Sequence, residues 1–105
     1  MAQFSVYRNK NPRTKATYPY VVDVQSDLLD PLNTRVVIPM TKAAALTKKP
    51  VTHLTPELQF NGERFVLMTP QLAGVGRGEL GPQAGTLIEE RQTILAAIDF
   101  LLTGF

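Results

Sequence analysis

The sequence predicts an α+β domain that is mostly β, and three observations predict it. Short runs of alternating apolar and polar residues recur up to Met68, an Asn61-Gly62 pair sits between two such runs, and one long amphipathic stretch closes the chain. Alternation has the period of a pleated strand, and an Asn-Gly pair supplies the two positive-φ residues that a type I′ hairpin turn needs. The closing stretch repeats its apolar residues at helical spacing. Together they predict about five to seven short antiparallel strands, a minor helical turn and one long C-terminal helix packed on the sheet.

Phe4 and Val6 alternate with Gln3, Ser5 and Tyr7, which predicts a half-buried first strand. Asn9 to Thr17 is polar and basic and contains Pro12, the composition of a mobile loop. Tyr20, Val22 and Val24 alternate with Val21, Asp23 and Gln25, a second strand with one wet face. Leu28 to Thr34 carries Asp-Pro and Asn and must turn, and the β-branched run Arg35 to Pro39 reads as a central strand. Thr41 caps an Ala-rich helical turn that Pro50 ends. His53 to Phe60 and Glu63 to Met68 flank the Asn61-Gly62 turn as hairpin strands.

Ala73 to Gly85 holds five of the seven glycines and reads as a flexible or strongly bent linker. It matches a phosphate-binding glycine loop only loosely and lacks the following Lys-Ser/Thr. Thr86 to Phe105 reads as one helix, with Thr86 and Glu89 at capping-box spacing. Leu87, Ile94, Ile98, Leu101 and Leu102 form its core stripe; Phe100, beside Ala96, projects to the other side, where a second copy of the chain is expected to cover it.

A chain of 105 residues with 44% hydrophobic and 19% charged residues is expected to form a single domain over residues 1–105. Its formal charge is only +2, but Arg8, Lys10, Arg13 and Lys15 all precede the first acid, Asp23. That basic run reads either as a solvated loop or as a surface for an acidic peptide or a nucleic-acid backbone, with Tyr18 and Tyr20 as neighbouring aromatic anchors. The absence of cysteine excludes disulfides and thiolate metal sites. With no leader-like N-terminus and no apolar run of about 18 residues, a cytoplasmic protein is expected.

No catalytic residue, metal or cofactor is predicted. His53 is the only histidine, has no nucleophile pattern near it, and reads as a strand-edge imidazole near Lys49 and Pro50. Asp23, Asp27 and Asp30 lack metal-loop spacing and read as turn and strand-end residues, with Asp23 and Asp27 on one strand face. Glu89 and Glu90 offset the positive end of the helix dipole.

Several runs resemble the CcdB toxins of plasmid and chromosomal toxin–antitoxin modules. They are QFSVY at the start, YVVDVQSDLLD from Tyr20 to Asp30, TRVVIPM from Thr34 to Met40, the pair Met68-Thr69 and the terminal AIDFLLTG. The resemblance covers nearly the whole chain. It implies a homodimer of SH3-like barrels, each with a small β-wing and a C-terminal helix. It also implies a non-enzymatic poison that binds the A subunit of DNA gyrase and traps it on cleaved DNA.

The residues that the resemblance assigns to gyrase contact are Leu28, Leu29, Asp99, Leu102, Thr103, Gly104 and Phe105. Three of them depart from the best-known toxic members, which carry Trp at the place of Thr103, Ile at that of Phe105 and Asn at that of Asp99. The implied partner is a CcdA-like antitoxin with a disordered acidic arm, through which alone the toxin reaches DNA. The positive run Arg8, Lys10, Arg13 and Lys15 suits that arm, and Ala96 and Phe100 are expected at the dimer interface. Two alternatives go with this reading. One is a degenerate homologue that binds antitoxin but no longer poisons gyrase; the other is a MazF-like endoribonuclease on the same barrel, for which Arg35 and His53 are a poor set of catalytic groups.

Overall fold

The structure is a computed structural model and describes residues 2–47 and 51–104. Among these residues seven strands form one antiparallel sheet: β1 (Ser5–Asn9), β2 (Tyr20–Asp23), β3 (Thr34–Lys42), β4 (Glu57–Phe60), β5 (Glu63–Leu67), β6 (Ala73–Gly76) and β7 (Leu80–Thr86). The strand order is β4-β5-β3-β2-β1-β7, with β6 on β3. β3 organises the sheet because its nine residues serve three partners. One edge pairs with β2, and the other is shared, Thr34 to Val37 with β6 and Met40 to Lys42 with β5.

The sheet curls into a half-barrel, and its end strands β4 and β7 approach without pairing. Gly85 marks the approach: a Cβ there would lie 2.8 Å from Cε1 of Phe60, so only glycine lets the ring lie against β7. All the described strands belong to one sheet. Among the described residues one α-helix, α1 (Arg91–Thr103), packs on the sheet through Ile94 and Ala97, which join Phe4, Val6, Val22, Ile38, Met40, Phe65 and Leu67 in the main core. The sheet's other face carries a smaller cluster of Tyr7, Val21 and Val37, flanked by Val75 and Leu80.

The hairpin reading is correct: Asn61 (φ 52°) and Gly62 (φ 75°) form the turn between β4 and β5. Several other expectations need correction. The glycine-rich segment is not a linker but forms β6 and β7, and glycine is required in it at Gly81, where a Cβ would lie 2.6 Å from the Arg8 carbonyl oxygen. At Gly81 the glycine serves close backbone approach between β7 and β1.

The helix starts at Arg91, five residues later than its periodicity implies. Thr86 ends β7, its hydroxyl accepts the Ile88 N–H at 3.2 Å, and a 3-10 turn (Ile88–Glu90) intervenes. Gly104, in the left-handed conformation at φ 79°, ends it with its N–H on the Phe100 carbonyl. Of the expected core stripe, Leu87 and Ile94 are buried and Ile98 is partly so, while Leu101 and Leu102 are exposed.

β1 is buried on both faces from Ser5 to Tyr7 and exposed only further on, at Arg8, and β2 has no wet face. Ser5 and Tyr7 are buried along with Val6, and Asp23 and Gln25 are buried along with Val22 and Val24. Thr41 is buried inside β3 and caps nothing; the short Ala43–Ala45 turn that follows has no side-chain cap, and Pro50 lies outside the described residues. The segment after β1 is not a loose loop. Asn9 Nδ2 donates to Thr14 Oγ1 and to the Tyr18 carbonyl, both at 2.9 Å, and the Lys15 and Tyr18 N–H groups close turns on Asn11 and Thr14.

Candidate functional site

The outer face of the sheet explains why the two most polar-looking strand positions are buried. By alternation Val21, Asp23 and Gln25 on one strand run, and Arg35, Val37 and Pro39 on the next, point to the same side. Arg35 Nε and Nη2 both donate to Asp23 Oδ2 at 2.8 Å, and both side chains are fully buried. Asp23 Oδ1 accepts the Gln25 N–H at 3.0 Å. Asp23 and Asp27 therefore share no face: Asp27 opens a 3-10 turn (Asp27–Leu29), where its Oδ1 accepts the Gln3 N–H at 2.7 Å. Asp30 accepts from Arg35 at 3.3 Å and from Arg77 at 3.2 Å. The turn and strand-end roles hold for all three aspartates.

What covers this polar end of the outer face is the loop carrying the first pair of candidate contact residues. Leu28 is 90% exposed and Leu29 is 48% exposed, and Leu32 further along the same loop is exposed as well. An isolated exposed leucine is ordinary; three within one short loop make a patch. The other candidate group lies at the end of α1. Leu102 is 75% exposed, Asp99, Thr103 and Gly104 are exposed, and the Thr103 hydroxyl donates to the Asp99 carbonyl at 2.7 Å. Phe105 lies outside the described residues.

The two groups have different supports. The Leu28 loop is tied to Gln3, Arg35 and Arg77, whereas α1 is held by Ile94 and Ala97 in the main core and also meets the turns at Thr69–Gln71 and Ile88–Glu90.

The other candidate residues fall as follows. Arg8, Lys10, Arg13 and Lys15 are all exposed, on β1 and the bonded turns after it. The Arg8 guanidinium lies 5.6 Å from the Tyr20 ring centroid, a cation–π arrangement. Tyr20 is no free anchor: its ring packs edge-on against Phe60 and Phe65 at 5.2 and 5.5 Å. Tyr18 helps line a cleft of about 240 Å³ on the outer face, together with Val21, Val37, Val75 and Leu80. On α1, Ala96 is exposed, but Phe100 is only partly so, because the His53 ring lies 6.0 Å away. His53 thus sits in the turns before β4, stacked near the helix, and not at a strand edge.

Sequence reasoning missed the Asp23–Arg35 pair and the loop it supports, although the signal was present. An arginine inside an otherwise apolar strand needs a buried partner, and the one acid of the neighbouring strand supplies it. The same burial removes Arg35 as a phosphate-stabilising group for RNA cleavage, since its guanidinium does not reach the surface. Among the described residues, no group of three or more His, Asp or Glu side chains is placed to hold a metal ion, and no helix is long and apolar enough to cross a membrane.

What this geometry offers is a set of exposed apolar and basic surfaces, at Leu28, Leu29 and Leu32, at Leu102, and along Arg8 to Lys15. A family model described as CcdB protein matches residues 3–104, so the chain belongs to the CcdB family and is by that membership the toxin of a toxin–antitoxin pair.

Proposed function

We propose that this toxin acts as a homodimer that binds the A subunit of DNA gyrase and stabilises its cleaved-DNA complex. Leu28 and Leu29 on the loop, with Asp99, Leu102, Thr103, Gly104 and Phe105 at the chain's end, form the gyrase surface. A CcdA-like antitoxin neutralises it by laying an acidic arm along Arg8, Lys10, Arg13 and Lys15. The observation that carries the reading is the exposure of Leu28 (90%) and Leu102 (75%), both at positions that the family resemblance assigns to gyrase. Folding gains almost nothing from leucines so exposed, which leaves contact with another molecule as their use.

Phe105 stands one residue beyond the terminal glycine, two beyond the position where toxic relatives carry Trp, and supplies the aromatic anchor that Thr103 lacks. Ala96 and Phe100 lie at the dimer interface, and the protein acts in the cytoplasm, where both gyrase and antitoxin are met. The test is a supercoiling and cleavage reaction with purified gyrase, relaxed plasmid and ATP. Linear DNA should accumulate with the intact protein and disappear when antitoxin is added, and Leu28→Asp should abolish it. Antitoxin binding with no linear DNA at any toxin concentration would replace this reading with that of a non-poisoning homologue.

A further inference from the structure

The Leu28 loop poses a physical problem of its own. Its 3-10 turn contains no buried residue, so hydrophobic burial does not hold it. A loop held only by its own short-range bonds, Leu29 N–H to the Ser26 carbonyl and Leu32 N–H to the Leu29 carbonyl, both at 3.0 Å, would sample many conformations. The structure adds ties from outside the loop: the Gln3 N–H on Asp27, Arg35 on Asp30, and two clamps on its backbone carbonyls, from Gln25 and Arg77.

Gln25, itself buried, donates from Nε2 to the Leu29 carbonyl at 3.1 Å, while its Oε1 accepts the Val36 N–H of β3 at 3.0 Å. Bonded at both ends, the amide has one orientation, and that orientation aims its donor at the turn. Arg77 grips the far end. Its Nε donates to the Leu32 carbonyl at 2.9 Å, its backbone N–H to the Asn33 carbonyl at 3.0 Å, and its Nη2 to Asp30 Oδ1 at 3.2 Å.

We propose that Gln25 and Arg77 are positioning residues, which hold the Leu28–Leu29 turn in the one shape that presents both side chains to an apolar pocket of the partner. The inference rests on the reading that this turn contacts gyrase. Neither residue touches the partner; each removes conformational freedom that binding would otherwise have to remove. Gln25 is anchored on β3, and Arg77 lies in the turn after β6, which itself pairs with β3. Both clamps thus refer the turn to the same central strand.

The decisive variants are Gln25→Glu and Arg77→Leu. Gln25→Glu keeps one side-chain oxygen for the Val36 N–H but sets a second oxygen against the Leu29 carbonyl, so that only the bond to the turn is lost. Arg77→Leu cuts the other clamp at a partly exposed side chain and decides the matter if Gln25→Glu does not fold. Three readouts are needed: amide hydrogen exchange, thermal unfolding, and affinity for the isolated gyrase A subunit. Leu28→Asp serves as the contact control and Arg77→Lys as the conservative variant, since it keeps a donor for the Leu32 carbonyl.

Exchange at the Leu29, Asp30 and Leu32 amides should rise about tenfold while that of β2, β3 and β5 stays within about twofold. Affinity for the gyrase subunit should fall about tenfold, or about 1.4 kcal/mol. Arg77→Lys should recover most of it. If Leu28→Asp loses binding while Gln25→Glu and Arg77→Leu bind like the parent, the contact reading stands and the positioning role is refuted. Faster exchange in the turn with unchanged affinity refutes it equally. If Leu28→Asp itself binds like the parent, the contact reading falls and this inference falls with it.

Discussion

Replacing Asp23 by Leu should be the most damaging single change on the outer face, because of what it leaves behind. The carboxylate accepts two bonds from Arg35 at 2.8 Å and one from the Gln25 N–H at 3.0 Å, in a place where neither charged side chain has any solvent exposure. Without it, Arg35 keeps only the longer bonds to Asp30 at 3.3 Å and to the Gln25 carbonyl at 3.4 Å. Removing one member of a buried ion pair typically costs about 3–5 kcal/mol, most of it the penalty of the stranded charge. Against a domain stability of about 5–15 kcal/mol, that is a large share. At roughly 4–8 °C per kcal/mol for a chain of this size, the melting temperature should fall by more than about 12 °C.

The informative experiment is urea unfolding at fixed protein concentration, with the double variant Asp23→Leu plus Arg35→Met alongside. An apolar pair of similar volume often matches or exceeds a buried ion pair, so the double variant should lie within about 2 kcal/mol of the parent and well above Asp23→Leu alone. A single variant that loses less than about 1 kcal/mol would mean that Arg35 escapes to solvent at little cost. A double variant no better than the single would mean that Asp23 matters for something other than the arginine.

Four further outcomes follow from the geometry. Gly85→Leu should destabilise by about 1–3 kcal/mol in thermal unfolding, since its side chain collides with the Phe60 ring and the half-barrel must open, whereas Gly78→Leu, with open space around it, should cost little. Leu28→Asp should shift stability by no more than about 0.5 kcal/mol, because the side chain buries almost nothing. Reversing Lys10, Arg13 and Lys15 to Glu should slow antitoxin association and flatten its salt dependence in stopped flow; rates indifferent to both would make the basic turns merely solvated. Phe100→Glu should shift sedimentation toward monomer at micromolar concentration, and unchanged sedimentation would place Phe100 outside the dimer interface.

The parts of the fold legible in the sequence were those set by local chemistry. Asn61-Gly62 fixes its turn through two positive φ angles, and no tertiary contact competes with that requirement. The helix was legible as a helix but not in its bounds. Its periodicity continues through Leu87 and Ile88 in apolar residues, yet Thr86 is pinned to β1 by pairing with Ser5, and that long-range bond decides where the strand ends. The glycine-rich segment misled for the opposite reason. Two of its glycines, Gly81 and Gly85, are there for the Arg8 backbone and the Phe60 ring, neighbours remote in sequence, so composition alone read as slack chain.

Among the candidate contact residues, Leu28, Leu29 and Leu102 were named from resemblance, and periodicity by itself placed Leu102 in the core. A helical stripe tells which side faces the sheet, but not where along the helix the sheet runs out. Leu101 and Leu102 lie past that point.

The distribution of exposed leucines separates what folds this protein from what it presents. Among the described residues seven large hydrophobic side chains are exposed, and five of them, Leu28, Leu29, Leu32, Leu101 and Leu102, lie in the two segments proposed to meet the partner. These segments are ordered by different means. The helix end inherits its shape from the regular backbone bonds of α1, closed by the left-handed Gly104. The loop has no such ladder and depends on Asp30, Gln25 and Arg77, with the buried Arg35 holding Asp30 from the inside. Polar burial on the outer face, costly for stability, is thereby linked to an exposed apolar surface that stability does not require. On this account the Asp23–Arg35 pair is replaceable as a source of stability but not as a support for the loop. The apolar double variant should therefore fold about as well as the parent and yet bind gyrase more weakly, since Asp30 loses its inner arginine.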